Sequence, residues 1–167
     1  MSTELPLSFL GNVNIAVRIV KEQYPDAELY EVEAKNLNPT VYMHLPTEVT
    51  FMKVVFHVGE NATAIISTGM VWGQWGTIEY IPEPWMEDVV IPWPLGMDAF
   101  EADALLKAAG YTGGYKTITL RHPLHPDFDE PYYIFNVEGE FVFVGVYDKK
   151  VFVGDLELVE NLKLSRD

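Results

Sequence analysis

A chain of 167 residues with 49% hydrophobic and 13% aromatic content can pack one ordinary domain, which excludes intrinsic disorder. Eleven basic against 25 acidic side chains leave a net charge of −14, a field that repels phosphate backbones and anionic membranes and favours a basic protein partner. The absence of cysteine excludes disulfides, a thiolate nucleophile and Cys-ligated zinc, and fits a reducing compartment.

The N-terminal MSTELPLSFLGNVNIAV has neither the basic n-region nor the long apolar run of a secretory signal, and no window approaches a membrane span. The expected location is the cytoplasm, with a trimmed, secreted form as the alternative. Residues 12–24 then place Val13, Ala16, Val17, Val20 and Tyr24 at helical spacing, with Asn12 as N-cap and Pro25 as the stop. Glu28 to Ala34 alternates apolar and acidic residues, as a half-exposed strand does. Asn36 to Pro46 reads as loop, with Thr40 to His44 as a short edge strand at most. Val49 to Val58 and Ala62 to Ser67 form a hairpin through Gly59-Glu60-Asn61.

Gly69 to Gly96 changes character. It holds all four tryptophans (Trp72, Trp75, Trp85 and Trp93), four prolines and the acids Glu79, Glu83, Glu87 and Asp88. Val71 to Tyr80 is a candidate strand, and the rest reads as extended connection because closely spaced prolines forbid a helix interior or a central strand. A second helix starts at Asp98, with Glu101 completing a capping box and Gly110 at its end; Ala102, Leu105, Leu106 and Ala109 line one face. Tyr115 to Leu120 is a strand and Arg121 to Glu130 a loop. Pro131 to Val153 then makes three strands with two tight turns, and Val153 to Leu164 ends as a strand or short helix.

The two halves answer one another. Ala16-x-x-Ile19-Val20-Lys21 matches Ala102-x-x-Leu105-Leu106-Lys107, and Val55-Phe56-His57-Val58 matches Ile134-Phe135-Asn136-Val137, at offsets of 86 and 79 residues. One helix on one small sheet buries too little apolar surface alone, whereas two copies give a continuous core. The fold class expected is α+β: two tandem helix-plus-antiparallel-sheet repeats packed into one domain. The first repeat spans 1–68, the Trp/Pro-rich connection 69–96 and the second repeat 97–167.

The helix-then-turn IAVRIVKEQYPDAELYEVEA and the late strand pair YYIFNVEGEFVFVGVYDKKV resemble the PepSY-like domain family and its structural relative, the tandem-repeat β-lactamase-inhibitor fold. The resemblance spans about two thirds of the chain and rests on apolar patterns with a turn, not on catalytic signatures. It implies a helix on an antiparallel sheet in each half, and inhibition or protein binding more than catalysis. The chain departs from it in having no signal peptide, no disulfide pair and a Trp/Pro connection without counterpart.

Chemistry-bearing clusters are sparse. RHPLHPDFDE brings His122, His125, Asp127 and Asp129 close in sequence, but Pro123 and Pro126 exclude a helical ligand pair, and a solvated loop explains the same residues. Carboxylate pairs are unavoidable among 25 acids. Gly110 to Gly114 follows a helix and so presents no helix N-terminus to phosphate. No catalytic residue, metal ligand or cofactor is therefore assigned.

Binding rests on the aromatics. Trp72 and Trp75, separated and followed by Gly73 and Gly76, suggest an open surface, since tryptophan anchors interfaces and glycine leaves neighbouring rings uncovered. The residues expected to bind are Trp72, Trp75, Trp85, Trp93, His57 and Tyr133. The leading function is a non-catalytic binding or inhibitory module that engages a protein through an aromatic, acidic surface. The alternatives are a small-molecule carrier or enzyme whose cleft is lined by Trp72, Trp75, His57 and Tyr133, and a homodimer that buries the aromatic strip.

Overall fold

The computed structural model describes residues 8–86 and 88–154. It is an α+β protein in which two helices pack on one face of a nine-stranded antiparallel sheet. Helix α1 (Phe9–Gln23) is followed by β1 (Glu28–Lys35), β2 (Phe51–Val58), β3 (Ala62–Ser67) and β4 (Glu79–Ile81). A two-residue strand β5 (Asp88–Val89) precedes helix α2 (Ala99–Ala108). Then come β6 (Thr117–Pro123), β7 (Tyr132–Val137), β8 (Glu140–Gly145) and β9 (Val151–Gly154). The sheet order is β4-β3-β2-β1-β6-β7-β8-β9, so each helix feeds a meander that runs outward from the central β1–β6 pair.

Helix α1 begins one turn earlier than its apolar spacing predicts. Ser8, not Asn12, is the N-cap, its hydroxyl accepting from Gly11 N, and the extra turn buries Phe9 in line with Val13, Ala16, Val17 and Val20. Helix α2 has the predicted cap, Asp98, which accepts from Phe100 N, and Gly110 adopts the positive φ (103°) of a C′ glycine. Glu101, however, turns to Lys149 at 2.9 Å. Ala99, Ala102, Asp103 and Leu106 are the buried residues of α2 and Leu105 packs half-buried against the core, whereas Ala109 is exposed.

Strand parity sorts the core. Val32, Ala34, Met52, Val54, Phe56, Ala64, Ile66, Ile118, Leu120, Tyr133, Phe135, Val142 and Val144 point to the helices and are buried. Each such large side chain contributes on the order of 1.5–3 kcal/mol by leaving water. The opposite face is covered in part by its own layer. Phe128, from the loop after β6, stacks on Phe143 at 5.3 Å, and Phe152 stacks on the other side at 5.2 Å. Tyr132 and Ile134 complete that cluster.

Two expectations shift, at Arg121 to Pro123 and at Val71 to Tyr80, while Thr40 to His44 keeps its loop reading. Arg121 to Pro123 belongs to β6 instead of the following loop, because β5 pairs with it through Asp88–Pro123 and Val89–His122. Thr40 to His44 forms no strand; a lone bridge joins Met43 to Tyr115. Val71 to Tyr80 is a turn followed by the short β4. The predicted element over Val153 to Leu164 lies outside the described residues beyond Gly154.

Candidate functional site

The 69–96 stretch, expected as a connection, makes two different structures. The first is a hydrogen-bonded tip between β3 and β4. Thr68 bridges Trp75, Gly76 N donates to Ser67 O, Gly69 N donates to Gln74 O and Gln74 N donates to Val71 O at 3.1 Å. Val71-Trp72-Gly73-Gln74 is thus a β-turn whose third residue, Gly73, has φ 91°, a conformation that glycine adopts without strain. The turn leaves Met70 88% and Val71 57% exposed beside the partly buried Trp72 and Trp75. Tyr80, on β4 opposite Ala64, stacks at 6.0 Å against Tyr24 at the end of α1. Glu79 and Glu83 are exposed.

The second structure is a strap across the opposite face. Trp85 Nε1 donates to Asp88 Oδ2 at 2.8 Å, and Asp88 Oδ1 accepts from Arg121 Nε and Nη2, both at 2.7 Å. Glu31 Oε1 lies 3.6 Å from Arg121 Nε. Arg121, Asp88 and Glu31 are all buried, so the middle of β1, read from sequence as half-exposed, is closed over by an ionic cluster. Ile91 N then donates to Leu29 O, wedging the strap against the start of β1 where the β1–β2 register shifts between Leu29 and Glu31.

The remaining predicted binding residues scatter. Trp85 belongs to the strap. Trp93 donates from Nε1 to Asn14 Oδ1 at 3.2 Å and lines a cavity of about 200 Å³ with Lys21, Leu29 and Ile91. His57 is on the sheet face away from the helices, its Nδ1 3.4 Å from Glu28 Oε1, its Nε2 donating to Glu60 O at 3.1 Å and its ring against Tyr30. Tyr133 is a core residue: it is 0% exposed and its hydroxyl donates to Met97 O at 2.8 Å. The cleft of Trp72, Trp75, His57 and Tyr133 is therefore not assembled, because His57 and Tyr133 point to opposite faces of the sheet and Tyr133 reaches no surface.

Burial also governs the tyrosines' protonation. Tyr133 is raised well above the usual phenol range, first by desolvation and then by the Asp98 and Glu101 carboxylates. Tyr115 is raised by burial and by donating to Asp103 Oδ1 at 2.8 Å, while Lys107 Nζ holds the other oxygen of Asp103. Tyr132 is pushed up to about 12 by burial and then by Glu130, Asp129 and Asp148.

In the stretch considered for metal, His122 is 3.3 Å from Phe128 O and His125 is 3.6 Å from Asp127. Among the described residues no three His, Asp or Glu side chains converge as a metal set. No helix among them is long and apolar enough to cross a membrane.

Sequence reasoning missed Met70 and Val71, although an apolar pair between Gly69 and Gly73 is a visible signal for an exposed turn. It also missed Arg121 as the centre of the buried cluster. Between α1, α2 and the tip lies a cavity of about 230 Å³ whose lining includes Phe9, Asn12, Thr47 and Phe100; of the predicted residues it contains Trp72 alone.

No protein-family model matches this sequence, and no curated protein matches it. In three dimensions the chain is similar to the crystal structure of a putative lipoprotein from Clostridium difficile 630. The TM-score is 0.59 at 14% identity, over 92% of this chain and 95% of that one, a likeness of fold alone.

Proposed function

We propose that this chain is a non-catalytic binding module that engages a protein partner through the β3–β4 tip. The observation that carries the reading is the pair Met70 and Val71, held in solvent by a closed turn beside two tryptophans. Aromatic and Met side chains on an ordered surface are the usual anchors of protein interfaces. Glu79, opposite Ile65 on the adjoining β4, and the net charge of −14 favour a partner with a basic rim.

The same reading takes the chain as two PepSY-like repeats. Supporting it are the outward order of both meanders from β1–β6 and the shared outward direction of His57 and Asn136. A cytoplasmic location is part of the proposal and rests on the cysteine-free composition.

The test is affinity capture from extract of the source cell with wild type beside Met70→Asp/Val71→Asp, followed by titration of the captured protein in purified form. The double variant is expected to weaken binding at least ~100-fold, since two anchors at ~1.4 kcal/mol each multiply to that factor. Equal binding by both forms, or no specific protein captured by wild type, would remove the tip from the interface.

A further inference from the structure

We propose that the cavity between the two helices and the tip binds a flat, uncharged or cationic heteroaromatic molecule of about two fused rings. This site is separate from the exposed tip, though Trp72 forms one of its walls. Its volume is about 230 Å³. A dry cavity of roughly 150 Å³ holds one benzene, so this one accommodates a bicyclic ring system.

Its walls suit such a guest. Phe9 comes from α1, Phe100 from the first turn of α2, Trp72 from the tip, and Met52 from β2. Among the described residues these three rings make no ring contact with one another; the ring partner of Phe9 is Tyr133 at 5.8 Å, in the core. Phe100, 39% exposed, and the half-buried Trp72 have ring surface open to a guest, while Phe9 is buried and closes the inner wall. Met52, 1% exposed, lies in the core beneath the cavity floor.

The site is also built in advance. Asp98 accepts from Leu10 N at 2.8 Å through Oδ1 and from Phe100 N at 3.2 Å through Oδ2, which ties the chain beside Phe9 to Phe100. Glu48 Oε2 accepts from His44 N and Leu45 N, fixing the 3₁₀ turn Pro46–Glu48 that carries Thr47. Walls held by hydrogen bonds lower the ordering cost of binding.

Two polar groups select for chemistry. The Asn12 amide nitrogen donates to Ser8 O at 3.1 Å, while Asn12 Oδ1 and the Thr47 hydroxyl make no hydrogen bond among the described residues. A guest with a ring N–H or a cationic edge meets Asn12 Oδ1 as acceptor. Asp98 at the helix junction and the net charge of −14 set the local sign, so an anionic ring is disfavoured.

The experiment uses the full chain, with indole, N-methylquinolinium and naphthalene-2-sulfonate as probes, followed by calorimetry and by the side-chain indole N–H resonances. Indole and N-methylquinolinium are expected to saturate with Kd near or below ~1 mM and to shift the Trp72 resonance, while the sulfonate binds at least ~10-fold more weakly. Thr47→Trp, at an exposed position, fills the cavity and is expected to abolish saturable binding while circular dichroism stays native. Met70→Ala/Val71→Ala, which removes the exposed side chains of the tip without adding charge beside Trp72, leaves probe binding within ~2-fold, so failure here is distinguishable from failure of the protein-binding reading. The proposal is overturned by no saturation at ~10 mM of either favoured probe, by binding that survives in a folded Thr47→Trp protein, or by a sulfonate that binds as well as the cation.

Discussion

Replacing Arg121 by methionine keeps the length and apolar stem of the side chain and removes its guanidinium. In the wild type that group sits 2.7 Å from Asp88 Oδ1 and 3.6 Å from Glu31 Oε1, with relative exposures of 6%, 5% and 1% for Arg121, Asp88 and Glu31. The variant therefore leaves two buried carboxylates facing an apolar side chain. Breaking a buried ion pair by deleting one partner costs about 3–5 kcal/mol, because the remaining charge stays desolvated. For a chain of this size each kcal/mol lowers Tm by about 2–4 °C, which converts the loss to roughly 6–20 °C. Urea unfolding followed by circular dichroism measures it. A second variant, Glu31→Leu/Asp88→Leu/Arg121→Met, replaces the whole cluster by apolar groups and is expected to recover at least half of the loss. A loss under about 1 kcal/mol in Arg121→Met would mean that water reaches the cluster and that the strap is not fastened by it.

Stability falls on the alkaline side. Tyr115, Tyr132 and Tyr133 keep their protons in the folded state above the usual phenol value. Their contribution is fully present below about pH 10, the unfolded value, and declines above it by up to about 1.4 kcal/mol per pH unit for each group. The share of Tyr132 levels off above its folded value of about 12. Ionisation of all nine tyrosines with a midpoint near 10 while circular dichroism stays native would contradict this. At the tip, Gly73→Ala meets no neighbour within 4 Å, so its cost is the conformational one of φ 91°, about 1–2 kcal/mol. It should weaken the captured partner in titration calorimetry, and unchanged affinity would mean that the turn geometry is irrelevant. Gly154→Ala places a Cβ against Cε1 of Phe143, a ring held between Phe128 and Phe152. The cost expected from thermal unfolding is about 1–3 kcal/mol, and a neutral result would show the aromatic stack to be loose.

Local signals made both helices and all three late strands readable. Val13, Ala16, Val17 and Val20 recur at helical spacing, Pro25 ends the run, and Asp98 with Gly110 brackets α2. Parity also held information that went unused. The register that set His57 on Asn136 leaves Tyr133 three residues away, an odd step, so Tyr133 falls on the helix face and cannot share a cleft with His57. Other features depend on partners far along the chain. Glu31 looks like a solvated acid until Arg121 and Asp88 close over it, and no periodicity reports a counterion that distant. Val71, Trp72, Trp75, Ile78 and Tyr80 have the β propensity of a strand, which suits the base of a turn as well. The decision lay with Gly73, whose positive φ turns the chain and sets the Thr68–Trp75 bridge.

The surfaces left open by this architecture follow from how its two sheet faces are closed. The helices cover one face, while the strap and the Phe128 cluster cover much of the other, so apolar side chains in solvent concentrate at turns and edges. Most exposed apolar residues on a protein need no explanation. Met70 and Val71 differ in being fixed there. A slack loop would fold a Met and a Val back onto the adjoining Trp72 and Trp75, since burying them would yield on the order of 1.5–3 kcal/mol each. The closed turn forbids that collapse: Gly69 N and Gln74 N are both committed within it, and Thr68 N is committed to Met52 O at its base. The chain thus forgoes stability at this turn, while an ionic cluster and an aromatic stack bury side chains on the far face. It is this fixed exposure that supports the proposed protein-binding role of the tip.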